Sequence, residues 1–202
     1  MSRLNITEVY TLDDITHIIP AALDAAGFEL LTMDLDKTLM GQFETQLPDD
    51  RIDFFKKVGR SGLEVALLSN AHDERISRVR YVASEIGKIV GRECLSLVPD
   101  DVCGNKKPNP DMFISALEWY GNGTPSLAIH VGDQVRSDVI AAERAGYRAA
   151  VLVSPMGEGD DPFVKFLGRP FVEPFLRRQR SLPDNVNNFP VALPVEAYRI
   201  CK

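Results

Sequence analysis

Apolar runs of strand length alternate with helix-period stretches along most of the chain. Residues 12–26 put Leu12, Ile15, Ile18, Ile19, Ala22 and Leu23 on one helical face and stop at Gly27, which predicts a first helix. Phe28 to Met33 is an apolar run that ends at Asp34, and Val65-Ala66-Leu67-Leu68 is another that ends at Ser69-Asn70. Between them a helix starting near Pro48-Asp49-Asp50 carries Ile52, Phe55 and Val58 toward the core. A helix over 73–86 and a short strand over 94–98 follow. Asn109 and Pro110 have the chemistry of a helix N-cap and first turn, predicting a helix that runs to Tyr120. Leu127 to Val131 is a strand ending at Gly132-Asp133. A helix with Val139, Ile140, Ala142 and Ala145 closes at Gly146, and Ala149 to Val153 is the last strand.

The central strands are continuously apolar rather than alternating, so both faces of their sheet must be covered. Strand–helix alternation with such strands predicts an α/β fold of three layers, Rossmann-like, around a central parallel sheet. Residues 1–153 form this core. Residues 154–202 form a C-terminal extension in which the pattern dissolves into Pro, Gly and charge, with one predicted helix over 171–180 and an extended tail.

Composition narrows the picture. The 202 residues suffice for one domain with a sizeable core, and 45% hydrophobic with 26% charged residues is ordinary for a soluble protein. No run of apolar residues is long enough for a transmembrane helix, and the first eight residues lack the apolar core of a signal peptide. Cys94, Cys103 and Cys201 form no CxxC pair, so neither a disulfide framework nor a zinc site is expected, and a reducing cytoplasm is the expected compartment. A net charge of −6 argues against nucleic acid as a partner. The charge is uneven: residues 165–180 hold Lys165, Arg169, Arg177, Arg178 and Arg180 against the single acid Glu173.

In open α/β sheets, ligands bind beyond the carboxyl ends of the strands. The polar residues that should gather there are Asp34-Leu35-Asp36-Lys37-Thr38, Ser69-Asn70, Lys107-Pro108, and Gly132-Asp133-Gln134 followed by Asp138. Each alone reads equally well as a polar turn. In this order they resemble the four motifs of the haloacid dehalogenase superfamily: DxDx[TV], an apolar strand ending in Ser or Thr, a Lys, and GDxxxxD. The likeness covers residues 28–153.

That resemblance implies a phosphatase with Asp34 as nucleophile and Asp36 as general acid and base. Ser69 and Asn70 would bind the phosphoryl oxygens and Lys107 would neutralise them. Lys107 is preferred to Lys106 because it directly precedes Pro108, though spacing alone leaves both open. Asp34, Asp36 and Asp133 would hold Mg²⁺, with a backbone carbonyl and waters completing an oxygen shell. Asp138 and Thr38 would support the site. Physically, a carboxylate attacking a phosphate dianion is repelled by it, so a hard cation and a lysine must offset the charge. Dehalogenases of the superfamily lack a carboxylate at the position of Asp36, which therefore favours phosphate chemistry. Lys37 stands where many relatives have Gly or Asn, and either adds charge near the substrate or points outward.

About thirty residues separate Thr38 from Ser69 and 36 separate Asn70 from Lys107, each consumed by one helix, a strand and loops. The expectation is therefore no large cap domain, as in subfamily IIIA and the YqeG-like phosphatases, which this chain resembles most. An uncapped site is open to bulky phosphates, including a lipid phosphate of the phosphatidylglycerophosphate type. Alternatives are a small-metabolite phosphatase, or a catalytically idle fold used as an interaction module. The segment 165–180 interleaves Phe166, Phe171, Phe175 and Leu176 with its arginines, as a helix lying on an anionic membrane would. Packing on its own domain and a homodimer contact are the competing readings. His72 and His130 read as structural, His17 as surface, and Trp119 and Tyr120 as packing.

Overall fold

The structure, a computed structural model, describes residues 8–121 and 124–157. The basic segment 165–180 and the rest of the chain beyond Gly157 lie outside the described residues. Six parallel strands form one sheet: β1 (Glu8–Leu12), β2 (Leu30–Met33), β3 (Glu64–Leu68), β4 (Cys94–Leu97), β5 (Ala128–Gly132) and β6 (Ala149–Val153). Their order is β1-β6-β5-β2-β3-β4. The helices are α1 (Pro20–Ala25), α2 (Asp49–Gly59), α3 (Arg75–Val90), α4 (Asp111–Tyr120) and α5 (Ile140–Arg144).

Successive residues of the apolar strands serve opposite layers, which is why the runs do not alternate with polar residues. Leu31, Met33, Val65, Leu67, Ile129 and Val131 pack with Leu23 of α1, Phe54, Phe55 and Val58 of α2, and Val82 and Ile86 of α3. Leu30, Ala66, Leu68, Ala128 and Ala150 pack on the other face with Met112, Phe113 and Ala116 of α4 and Ala141 and Ala142 of α5. The expected three-layer α/β architecture is thus present. From Thr38 to Ser69 the chain is a loop, α2 and β3. From Asn70 to Lys107 it is α3, β4 and a 3₁₀ turn over Pro99–Val102. No cap is inserted at either point. Among the described residues no helix is long and apolar enough to cross a membrane.

The first element differs from expectation. Residues 12–26 are not one helix: Leu12 ends strand β1, Ile15–His17 is a 3₁₀ turn, and α1 begins at Pro20. Leu12, Ile15, Ile18 and Leu23 are all buried in one layer, so the helical period reports shared burial, while the backbone follows the pairing of β1 with β6 and the fixed φ of Pro20. Pro110, expected as the first helical residue, holds the N-cap position of α4, so Asn109 lies one residue before the cap, its Oδ1 accepting from Asp111 N at 3.0 Å.

The end of β1 is tied to the second layer by charge. Asp14 Oδ1 accepts from Thr16 N at 2.8 Å, and both Asp14 oxygens accept from the guanidinium of Arg51 on α2, at 2.8 and 2.5 Å. The Arg51 side chain is fully buried. Losing Asp14 leaves the buried guanidinium only the exposed Asp50, whose Oδ2 accepts from Arg51 Nη1 at 3.0 Å, so Asp14→Ala should lower stability by about 1–2 kcal/mol. The reading is the urea midpoint, and Arg51→Met in the Asp14→Ala background should recover part of the loss. An unchanged midpoint in Asp14→Ala would show that the pair holds nothing together.

Candidate active site

The chain runs outward through β2, β3 and β4, then crosses back to place β5 on the other side of β2. The crevice where the order reverses lies between β2 and β5, the point at which parallel sheets open at their carboxyl ends. Asp34 follows β2 there, with its N–H donating to Val131 O of β5 at 2.9 Å. Asp133 follows β5, and Ser69 follows β3 on the other flank of β2. Three adjacent strand ends therefore present Asp133, Asp34 and Ser69 side by side, all buried.

Lys107 reaches this edge from the loop before α4. Its Nζ donates to Asp34 Oδ1 at 2.5 Å and to Asp138 Oδ1 at 2.7 Å, whereas Lys106 is exposed. Asp138 sits in a single π-helical turn over Val135–Val139, and its Oδ2 accepts from Gln134 N at 3.0 Å. Gly132 makes this possible, because a Cβ there would lie 2.3 Å from Asp138 Cγ. Buried His130 lies with Nε2 3.4 Å from Asp138 Oδ1 and Nδ1 2.9 Å from Thr32 Oγ1, its ring against Phe113. It braces Asp138 from within the core.

The charges in this cluster act on one another. Burial pushes the Asp34 carboxyl well above its ordinary range; Lys107 pulls it down, while the charges of Asp138 and Asp133 add to the rise. Burial opposes the Lys107 charge, but Asp138 and then Asp34 outweigh it and hold the ammonium above its usual range. Asp138 falls below the carboxylate range despite burial, chiefly through Lys107. His130 is lowered by burial and is neutral at neutral pH. Lys107 thus holds the Asp138 charge, while Asp34 stays pushed upward beside it.

Asn70 lines the pocket, but its side chain is spent on the lysine's backbone: Oδ1 accepts from Lys107 N at 2.7 Å and Nδ2 donates to Lys107 O at 3.1 Å. It positions Lys107, and the second Nδ2 hydrogen is not used in these two bonds. Ser69 Oγ accepts from Ala71 N at 3.2 Å and faces the same pocket. Thr38 Oγ1 is buried and, among the described residues, has no hydrogen-bond partner.

Asp36 carries partners that the motif reading missed. Arg75 Nη2 donates to its Oδ2, and Arg78 Nη1 donates to its Oδ1 at 2.6 Å. Arg78 is fixed further by Gly41 O at 2.8 Å and Glu44 O at 2.6 Å. The signal available was two arginines three apart in the first turn of the helix that follows Asn70, a spacing that puts both on one face. Lys37 is buried at φ 67° and lines the pocket instead of pointing outward. His72 is exposed and pairs with Asp73 at 2.7 Å; His17 is half-buried; Trp119 and Tyr120 pack on the α4 layer.

The donor set fits a hard divalent cation. Asp34 and Asp133 offer carboxylate oxygens at adjacent strand ends, and the cluster gathers three buried carboxylates against one ammonium. The Asp36 carboxylate is not part of that set, being held by two guanidiniums, so this residue could contribute only its main-chain carbonyl. Consistently, no three His, Cys, Asp or Glu side chains among the described residues form a metal cage.

Several known proteins are similar to this chain. The probable phosphatase YqeG of Bacillus subtilis is 24% identical over 153 residues, which is 76% of this chain and 80% of that protein. Phosphoglycolate phosphatase 1 of Pseudomonas aeruginosa is 31% identical over 109 residues, 54% of this chain. The match spans only 37% of that relative's own length. The crystal structure of an uncharacterized protein from Listeria monocytogenes serotype 4b shares the fold, with TM-score 0.50 at 22% identity over 66% of this chain and 85% of that one. A model of the haloacid dehalogenase-like hydrolases matches residues 4–146, most of the sheet and every strand-end motif described above. On that match, the chain belongs to the haloacid dehalogenase-like hydrolases.

Proposed function

We propose that the protein is a Mg²⁺-dependent phosphomonoester hydrolase that works through a phosphoryl group carried on Asp34. The observation that carries this reading is the contact of Lys107 Nζ with Asp34 at 2.5 Å, beside Asp133 at the sheet's switch point. A carboxylate and an ammonium share one small pocket there, as attack on a phosphate dianion requires. Both named relatives are phosphatases by name.

Asp34 Oδ attacks phosphorus as the ester P–O bond breaks on the opposite side. Asp36, released from one guanidinium and carrying a proton, gives that proton to the departing alkoxide oxygen. A water then attacks the phosphorus of the acyl-phosphate, returning its proton to Asp36 and releasing inorganic phosphate and free Asp34. Lys107 neutralises a phosphoryl oxygen throughout, held in place by Asp138 and by the Asn70 clamp on its backbone. Ser69 Oγ faces the same oxygens. Asp34, Asp133 and the Asp36 carbonyl would hold Mg²⁺, which when bound shields the Asp34 charge from that of the phosphoryl group.

The chemistry of the purified protein tests this reading. The purified protein should release phosphate from aryl phosphates only with Mg²⁺ present. Asp34→Asn should lower kcat by roughly three orders of magnitude or more. Asp133→Ala should raise the Mg²⁺ concentration for half-maximal rate by roughly tenfold or more. Full activity in excess chelator, or in Asp34→Asn, would be fatal to the proposal. Asp36→Asn should slow alkyl phosphates far more than nitrophenyl phosphate, whose leaving group needs no proton. Equal losses on both would remove Asp36 as the acid, given that phosphorylation limits the rate.

A further inference from the structure

The pocket in front of Asp34 has a volume of about 160 Å³, and every side chain lining it is polar or charged. Beyond the phosphoryl position, its rim is made by Lys37, Gln42, Arg75, Gln134 and Ser137. Polar and charged side chains that lose water there need hydrogen-bonding partners, which a polar or charged leaving group supplies.

The two arginines on Asp36 are unequal. Arg78 is 13% exposed and bonds Asp36, Gly41 O and Glu44 O, so three contacts fix it. Arg75 is 39% exposed, and the one polar contact of its side chain among the described residues is Asp36 Oδ2. Both oxygens of Asp36 are therefore occupied by guanidinium donors. Proton delivery to a leaving oxygen needs one of them released, and the release that breaks least is that of Arg75.

We propose that Arg75 is a specificity residue that exchanges Asp36 for a second anionic group on the substrate, a carboxylate or phosphodiester a few bonds from the phosphomonoester. This rests on the phosphatase reading above and names its substrate class. The exchange swaps one partly exposed ion pair for another, which costs little. It couples recognition to chemistry, because a substrate without the second anion leaves Arg75 on the proton-transfer carboxylate. Arg78 keeps Asp36 in place during the exchange and is a positioning residue.

The second anion could belong to a soluble metabolite or to a lipid headgroup, and matched pairs separate the sources. With Mg²⁺, phosphate release is measured from 2-phosphoglycolate against ethyl phosphate. The lipid pair is phosphatidylglycerophosphate against phosphatidic acid, each in phosphatidylcholine vesicles. The wild type should prefer the doubly anionic member of at least one pair by about tenfold or more in kcat/KM. The pair that shows the preference identifies the source. Arg75→Ala and Arg75→Gln should each bring that ratio to within about twofold, whatever they do to absolute rates. Arg75→Lys should keep part of it, and Arg78→Ala should slow both members alike with the ratio retained. A wild-type ratio near one in both pairs, or a ratio that survives in both neutral Arg75 variants, overturns the assignment. Absence of phosphate release from all four compounds by the wild type overturns the phosphatase reading itself, and this inference with it.

Discussion

Lys107 Nζ lies between Asp34 and Asp138, 2.5 and 2.7 Å from their oxygens, with almost no access to water. An ammonium and two carboxylates taken out of water are tolerable only as a group, and losing one member of such a buried set costs about 3–5 kcal/mol. Much of the surrounding structure serves to keep that group together. Gly132 gives Asp138 room, Gln134 N and His130 orient it, and Asn70 holds the lysine's backbone from both sides. Asp34 is the carboxyl that stays pushed upward, and it is the one asked to attack.

The fold makes this placement inexpensive in sequence terms. Parallel strands with helical crossovers bring three carboxyl ends to one edge, and the return from β4 to β5 puts Asp133 next to Asp34 across the switch point. Asp34, Ser69 and Asp133 each need only to be the first residue after an apolar strand. Asp36, three residues past β2, has left the sheet and meets α3, where Arg75 and Arg78 await it. Nucleophile and proton carrier thus sit in different electrostatic surroundings, one beside a lysine and other carboxylates, the other between guanidiniums.

The interior strands could be read from the chain because burial on both faces leaves an uninterrupted apolar signature, and its abrupt ends marked Asp34, Ser69 and Asp133. The edge strand β1 could not, since Leu12, Ile15, Ile18 and Leu23 share one buried side through three different backbone conformations and imitate a helix. Among the polar residues, spacing identifies a position without the direction of its side chain. Asn70 fell at the expected strand end, yet its amide turns to the Lys107 backbone. Arg75 and Arg78 drew no reading from the sequence, because the carboxylate that collects them is about forty residues earlier in the chain. Lys107 over Lys106 needed the loop geometry. The segment 165–180 lies outside the described residues, so its membrane reading stays at the level of composition.

The central claim is that Asp34, held beside Lys107, takes the phosphoryl group itself. Its most direct test is chemical trapping: the protein is mixed with ³²P-labelled substrate and Mg²⁺, quenched in acid within one turnover, reduced with borohydride and mapped by mass spectrometry. The account predicts acid-stable, base-labile label at substoichiometric level and conversion of Asp34, and of no other carboxylate, to homoserine. Label on another residue, or hydrolysis at full rate with no trapped acyl-phosphate on Asp34, would contradict it.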